Sequence, residues 1–143
     1  MFCLLANHCD ASEDKILKLL IENRSCNGCN LSKLNLGNYK LFKVDLSRAD
    51  LSESYLVNVD LGNANLSNSN LSNTYMNGAN LSQATLVKTN LSGAELELAD
   101  FSQALFVNVN LIEAYLLHAS ISEDQLNNAR LCKTVLPDAS ISY

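Results

Sequence analysis

The chain lacks most of the residues on which enzyme chemistry depends. Its 143 residues include no tryptophan, one proline, five glycines and two histidines. His8 and His118 are the only imidazoles, and no HExxH, GxSxG or glycine-rich phosphate loop occurs. With no acid–base, nucleophilic or phosphate-binding constellation in view, no enzymatic activity, cofactor or metal is expected. Positive charge is also scarce. Ten Lys and Arg face fifteen Asp and Glu, a net charge of −5, whereas a nucleic-acid surface wants clustered bases. Direct nucleic-acid binding is therefore not expected. No apolar run approaches the roughly 18 residues of a membrane-spanning helix, so membrane insertion is not expected either. Five cysteines is an odd number, which argues against a fully paired secreted framework. Met1–Ala6 is apolar but has no basic leader, so the expected setting is the reducing cytoplasm. The length suits one domain.

What the chain has in excess is Leu and Asn, 27 and 19 residues. Their placement is regular. Starting at Leu31 and stepping by five, all 23 positions to Ile141 are large and apolar. In a chain that is 48% apolar, chance would give this on the order of once in ten million. Two residues before each centre stands Ala, Ser, Thr, Val or Cys in 20 of 23 cases, the exceptions being Leu34, Tyr39 and Asp124.

A period of five fits neither a strand, which repeats every two residues, nor a helix, which repeats every 3.6. Two inward positions in every five require the chain to turn a corner at each repeat. One large and one small side chain per side then fill a narrow interior. Stacked coils would pair their backbones about 4.8 Å apart, and each coil would bury its neighbour. In this register Leu51, Leu71, Leu91, Phe101 and Phe106 belong to the core ladder.

The segments Ala49-Asp50-Leu51-Ser52-Glu53, Ala64-Asn65-Leu66-Ser67-Asn68 and Ala79-Asn80-Leu81-Ser82-Gln83 resemble the A(D/N)LxX motif of pentapeptide repeat proteins. The resemblance covers residues 29–143. It implies an all-β solenoid, a right-handed quadrilateral β-helix with four repeats per coil. On that basis residues 26–143 form about 5.75 coils, a rod roughly 28 Å long at the strand spacing. The opening Cys26-Asn27-Gly28-Cys29-Asn30-Leu31 and the ending Leu131 to Asp138 look like those of cyanobacterial members.

The ends should depart from the pattern. Leu34 and Tyr39 are bulky where small residues belong, so a distorted first coil is expected. Asp124 falls at an inward position, where an unpartnered carboxylate is costly, so a bulge or short helical turn capped by Ser122 is expected. Residues 1–25 read as a helical cap segment. Asp10 is a candidate N-cap with Glu13 three positions on, and Ile16, Leu19, Leu20 and Asn23 share one face, flanked by Leu17 and Ile21. Such a helix would seal the open first coil.

Three functional readings follow. The first is a non-enzymatic interaction scaffold with an unidentified protein partner or a second copy of itself. One side of the predicted coil breaks the Asn/Asp pattern: Tyr55, Tyr75 and Tyr115 fall in one column, interrupted by Glu95, with Val57 and Leu117 after two of the centres. Tyrosine is enriched in interfaces. A cross-strand tyrosine ladder is the alternative for the same residues. The second reading comes from the resemblance, since some family members mimic duplex DNA and bind gyrase or topoisomerase. The 11 acids and 7 bases of residues 29–143 form no dense stripe. The third is a thiol switch at Cys26 and Cys29, whose alternatives are packed structural cysteines or a metal site completed by His8 and Cys9.

Overall fold

The computed structural model describes residues 13–143. The proposed cap at Asp10, and His8 and Cys9 with it, lie outside the described residues. The chain opens with helix α1, Glu13–Asn23. Leu20 is fully buried, Ile16 and Leu17 are partly buried against the core, and Ile21 is turned to solvent. On the outer face Lys18 and Glu22 form an i,i+4 pair at 4.0 Å. Coil pairing begins directly after the helix, where Ser25 bridges Asp45 and the Arg24 carbonyl accepts the Asp45 N–H.

From there parallel bridges join residues twenty apart, as in Asp50↔Asn70↔Asn90↔Asn110 and Asn35↔Tyr55↔Tyr75↔Glu95↔Tyr115↔Val135. Four five-residue repeats thus make each coil. Most pairings are single bridges because each repeat spends its remaining residues on a turn. Short strands appear at β1 (Thr85–Val87) with β2 (Leu105–Val107), and at β3 (Val109–Asn110) with β4 (Ala129–Arg130).

One turn recurs at the corners. In Leu41-Phe42-Lys43-Val44 the N–H of Val44 closes on the Leu41 carbonyl at 3.1 Å, and Lys43 has φ +59°. A closing bond with positive φ at the third residue is a type II turn. The left-handed position falls two residues after every centre from Leu31 to Leu116 and after Leu131, and at Gly28 one repeat earlier. Asn fills it six times, at 38, 58, 63, 68, 73 and 108, and Gly at 28, 78 and 93. Both tolerate that conformation at low cost. Geometry also explains the small inward residue: the turn brings its first and fourth Cα atoms together, leaving room for one large side chain and one small one.

Eighteen consecutive centres, Leu31 to Leu116, are buried. Inward Ser and Thr bury their hydroxyls without loss. Ser54, Ser69 and Thr74 donate to the carbonyl three residues back, while Thr89 and Thr134 donate to a carbonyl of the preceding coil. No buried side-chain polar atom among the described residues is left without a partner, as low-dielectric interiors require.

The two ends differ from expectation. The first coil keeps its path despite Leu34 and Tyr39. Both sit half-buried, and the cost is confined to slack turns, whose closing bonds are 3.4 and 3.3 Å. In the last coil the centres Ile121, Leu126, Leu131 and Leu136 are only partly buried and Ile141 is exposed. The chain reverses there. Ile141 bridges Val135 antiparallel, and Lys133 and Leu136 donate to the carbonyls of Ser142 and Ser140. This return segment occupies backbone groups that would otherwise stand open at the coil edge. At Asp124 the chain forms helix α2, Glu123–Asn127, with Ser122 as N-cap in a capping box with Gln125, and Asp124 is exposed. Gln125 also repairs the interrupted ladder. Its side-chain amide donates to the carbonyls of Phe101 and Ala104, both at 2.8 Å. The Ala104 carbonyl is the one a regular coil would satisfy with a backbone N–H.

Candidate functional site: a tyrosine face and a disulfide turn

Two of the four sides carry polar columns just before their centres, and a third begins one at Asp45 and Asn65 but passes on to Thr85 and the exposed Leu105. On one, Asn70 donates to Asp50 at 3.2 Å, Asn90 to Asn70 at 3.0 Å and Asn110 to Asn90 at 2.9 Å. Each side-chain oxygen also accepts the N–H two residues on, as Ser52 gives to Asp50, an Asx turn. Asn80 donates to Asp60 and Asn65 to Asp45 on the other two. Every bond runs toward the N-terminal coil. An ionised carboxylate can only accept, so Asp belongs at the N-terminal end of a column. The Ser52 hydroxyl accordingly holds the Asp50 carboxyl below its ordinary value, aided by the Ser52 N–H and the Asn70 amide and opposed by burial. Asp138 is lowered likewise by the hydroxyl and N–H of Ser140. Both shifts have structural causes, and neither marks a catalytic acid.

The fourth side has no such column. Tyr55, Tyr75 and Tyr115 are 46%, 47% and 38% exposed. The rings of Tyr55 and Tyr75 lie 6.4 Å apart, tilted 38°, a contact worth well under about 1 kcal/mol. The Tyr55 ring lies over Gly37, where a Cβ would fall within 2.9 Å of it. Glu95 stands between Tyr75 and Tyr115 in the bridge column. Asn77 fixes this row, donating to the Glu95 carboxylate at 3.3 Å and accepting the Glu97 N–H at 3.0 Å. Val57 and Leu117 are half-buried beside the column. One residue of this side escaped the sequence reading. Leu98 is 64% exposed at φ +60°, so neither burial nor backbone preference accounts for a leucine there. The signal was available, because the register places Leu98 at the same outward corner as His118.

Cys26 and Cys29 are joined by a disulfide with Cα atoms 5.4 Å apart. The link leaves neither thiol free in this structure. It spans a corner turn: Cys29 N–H closes on the Cys26 carbonyl, and Gly28 has φ +69°. Cys26 is a buried centre, five residues before Leu31, and Cys29 is its small inward partner. A turn that brings positions one and four together suits a disulfide. Cys132 is free and exposed. Of the core ladder residues, Leu51, Leu71, Leu91 and Phe101 are fully buried, and Phe106 is 6% exposed, edge-on to Phe101 at 5.4 Å. Among the described residues, no helix is long and apolar enough to cross a membrane.

A coil of four five-residue turns with an Asn/Asp-Leu pattern defines a recognised class. The family model for pentapeptide repeats matches in eight copies, over residues 25–56, 45–83, 54–93, 64–103 and 94–131, and the chain belongs to that family. Similar solved structures come from cyanobacteria. HetL, a pentapeptide repeat protein involved in heterocyst differentiation regulation from Nostoc sp. strain PCC 7120, has a TM-score of 0.77 at 32% identity over 82% of this chain. The chain spans 55% of HetL's length. The pentapeptide repeat protein Rfr23 from Cyanothece 51142 has a TM-score of 0.76 at 28% identity, covering 91% of this chain and 99% of that one. QnrB1, a plasmid-mediated fluoroquinolone resistance protein, reaches a TM-score of only 0.36 at 16% identity, covering 80% of each chain. The comparison with curated proteins gives no match.

Proposed function

We propose that the protein is a non-enzymatic interaction scaffold: a rigid, right-handed quadrilateral β-helix, closed by α1, that presents its tyrosine face to a protein partner. One observation carries this reading. The side without a column bond exposes Tyr55, Tyr75, Tyr115 and Leu98 together, whereas the side that starts at Asp45 leaves only the apolar Leu105 and Val107 open. Exposed aromatics cost solubility and gain affinity. A ring contact as open as that of Tyr55 with Tyr75 is a weak reason to keep three of them. HetL offers a precedent for a family member acting in regulation. DNA mimicry is the poorer account, because Asp45, Asp50 and Asp60 accept column bonds and Glu53 and Glu113 pair with Lys33 and Lys133. A thiol switch at Cys26 and Cys29 is the third reading, favoured by the disulfide itself. It would operate if the protein resides in the cytoplasm, where disulfides are usually transient.

The test is a Tyr55→Ser, Tyr75→Ser, Tyr115→Ser variant compared with wild type by light scattering, pull-down and denaturant unfolding. Association lost at unchanged stability is the expected result. Stability lost with association unchanged would return the tyrosines to a structural ladder.

A further inference from the structure

The tyrosine face can be described in rows, one per coil: residues 55–58, 75–78, 95–98 and 115–118. We infer that its partner is a second copy of this chain, packed face to face and antiparallel about a twofold axis between the second and third rows; this rests on the reading of the face as an interaction surface. A twofold contact must be self-complementary, and the rows are. Reversing their order sets Leu98, the most exposed apolar side chain on this face, against the Gly78 corner of the second copy, where the Asn58 amide covers the glycine. Tyr55 then meets Tyr115, and Val57 meets Leu117. Glu95 faces the hydroxyl-bearing Tyr75, and Glu97 faces the amide of Asn77.

The parallel arrangement fails on charge. It opposes like rows, bringing Glu95 and Glu97 of one copy against those of the other, and like charges within a contact are strongly disfavoured. The charge distribution points the same way. Residues 1–48 carry seven bases and five acids, net +2, while residues 49–143 carry three bases and ten acids, net −7. Antiparallel copies set the basic end of one against the C-terminal end of the other, where residues 121–143 carry three acids and two bases, which favours encounter.

The test uses the full chain in solution. Sedimentation equilibrium up to roughly 100 µM, enough to populate a dimer of micromolar Kd, should show dimers. Leu98→Asp, at an exposed corner whose left-handed backbone suits Asp, should raise the dissociation constant at least about tenfold without lowering the unfolding midpoint. Register is read by oxidative cross-linking with Cys3, Cys9 and Cys132 replaced by Ser. A mixture of Tyr55→Cys and Tyr115→Cys chains should cross-link, and Tyr55→Cys alone should not. Tyr55→Cys cross-linking to itself would overturn the antiparallel packing. A wild type monomeric at that concentration would overturn the dimer altogether. If the triple tyrosine variant then still lost a captured protein at full stability, the docking face would survive without the dimer. If it lost only stability, both readings would fall.

Discussion

The direction of the amide columns makes a prediction in which one atom type decides the sign. Asn80 donates to Asp60, but Asp100, next in that column, has no hydrogen to give Asn80. Asp100→Asn keeps the oxygen that accepts the Ser102 N–H at 2.8 Å and adds an N–H facing the Asn80 oxygen. The corresponding Asn90-to-Asn70 bond is 3.0 Å long. A net intramolecular hydrogen bond is worth about 0.5–1.5 kcal/mol, so a gain of about 0.5–1 kcal/mol is expected. At this size that corresponds to a Tm rise of about 2–4 °C. The opposite substitution, Asn90→Asp, removes the donor to Asn70 but leaves the acceptor for Asn110. It should cost about 1–2 kcal/mol. Both are measured by denaturant unfolding at neutral pH, with far-ultraviolet circular dichroism and tyrosine fluorescence required to coincide, because repeat arrays can lose two-state behaviour. Shifts of the same sign for the two substitutions, or none beyond error, would refute the directional account.

The remaining expectations concern core, charge and ends. Leu71→Ala should cost about 2–5 kcal/mol by cavity formation, while Ala at the exposed Asn73 should shift the midpoint far less; equal shifts would refute the register. Asp50 titrates below 3.8 in the folded chain, so its contribution is complete above that ordinary value and is lost as pH falls through the folded value. Between pH 4 and 2 the wild type should therefore lose more stability than Asp50→Asn, measured as paired urea midpoints. Reducing the Cys26–Cys29 link, which closes a loop of only four residues, should cost about 2 kcal/mol. Hydrogen exchange should place that loss in the first coil, since stability is passed only between neighbours. Deleting residues 1–25 should expose the first coil and promote association, visible by light scattering; a truncated chain that stays monomeric and equally stable would show that α1 is no cap.

The sequence revealed the interior better than the ends or the surface. A five-residue step located eighteen buried centres because a large apolar side chain and a small one must alternate in a narrow coil. Cys26 is one more such centre, missed because a cysteine does not declare itself as a large apolar residue. Asp124 signalled α2 because a carboxylate cannot sit unpartnered inside. Ile141 misled, since periodicity records which side chains suit an interior but not whether the chain continues forward or turns back against Val135. The tyrosine column could be read from twenty-residue spacing. Leu98 stood in the same register. What makes it unusual is a bulky apolar side chain left in solvent on a left-handed backbone, at a corner that Asn, Gly and other polar or charged residues fill elsewhere.

Four repeats to a coil give the chain an odd sensitivity to editing. Inserting or deleting twenty residues leaves every face facing as before and only changes the height. Removing one repeat between rows, such as residues 83–87, would instead swing everything beyond it by a quarter turn. Tyr115 would leave the side of Tyr55 and Tyr75, and the amide column starting at Asp50 would break its alignment, although each repeat would still bury its own leucine. The interior reads only the five-residue unit. The exterior reads the twenty-residue coil, so surface function can be scrambled by a change the core would barely register.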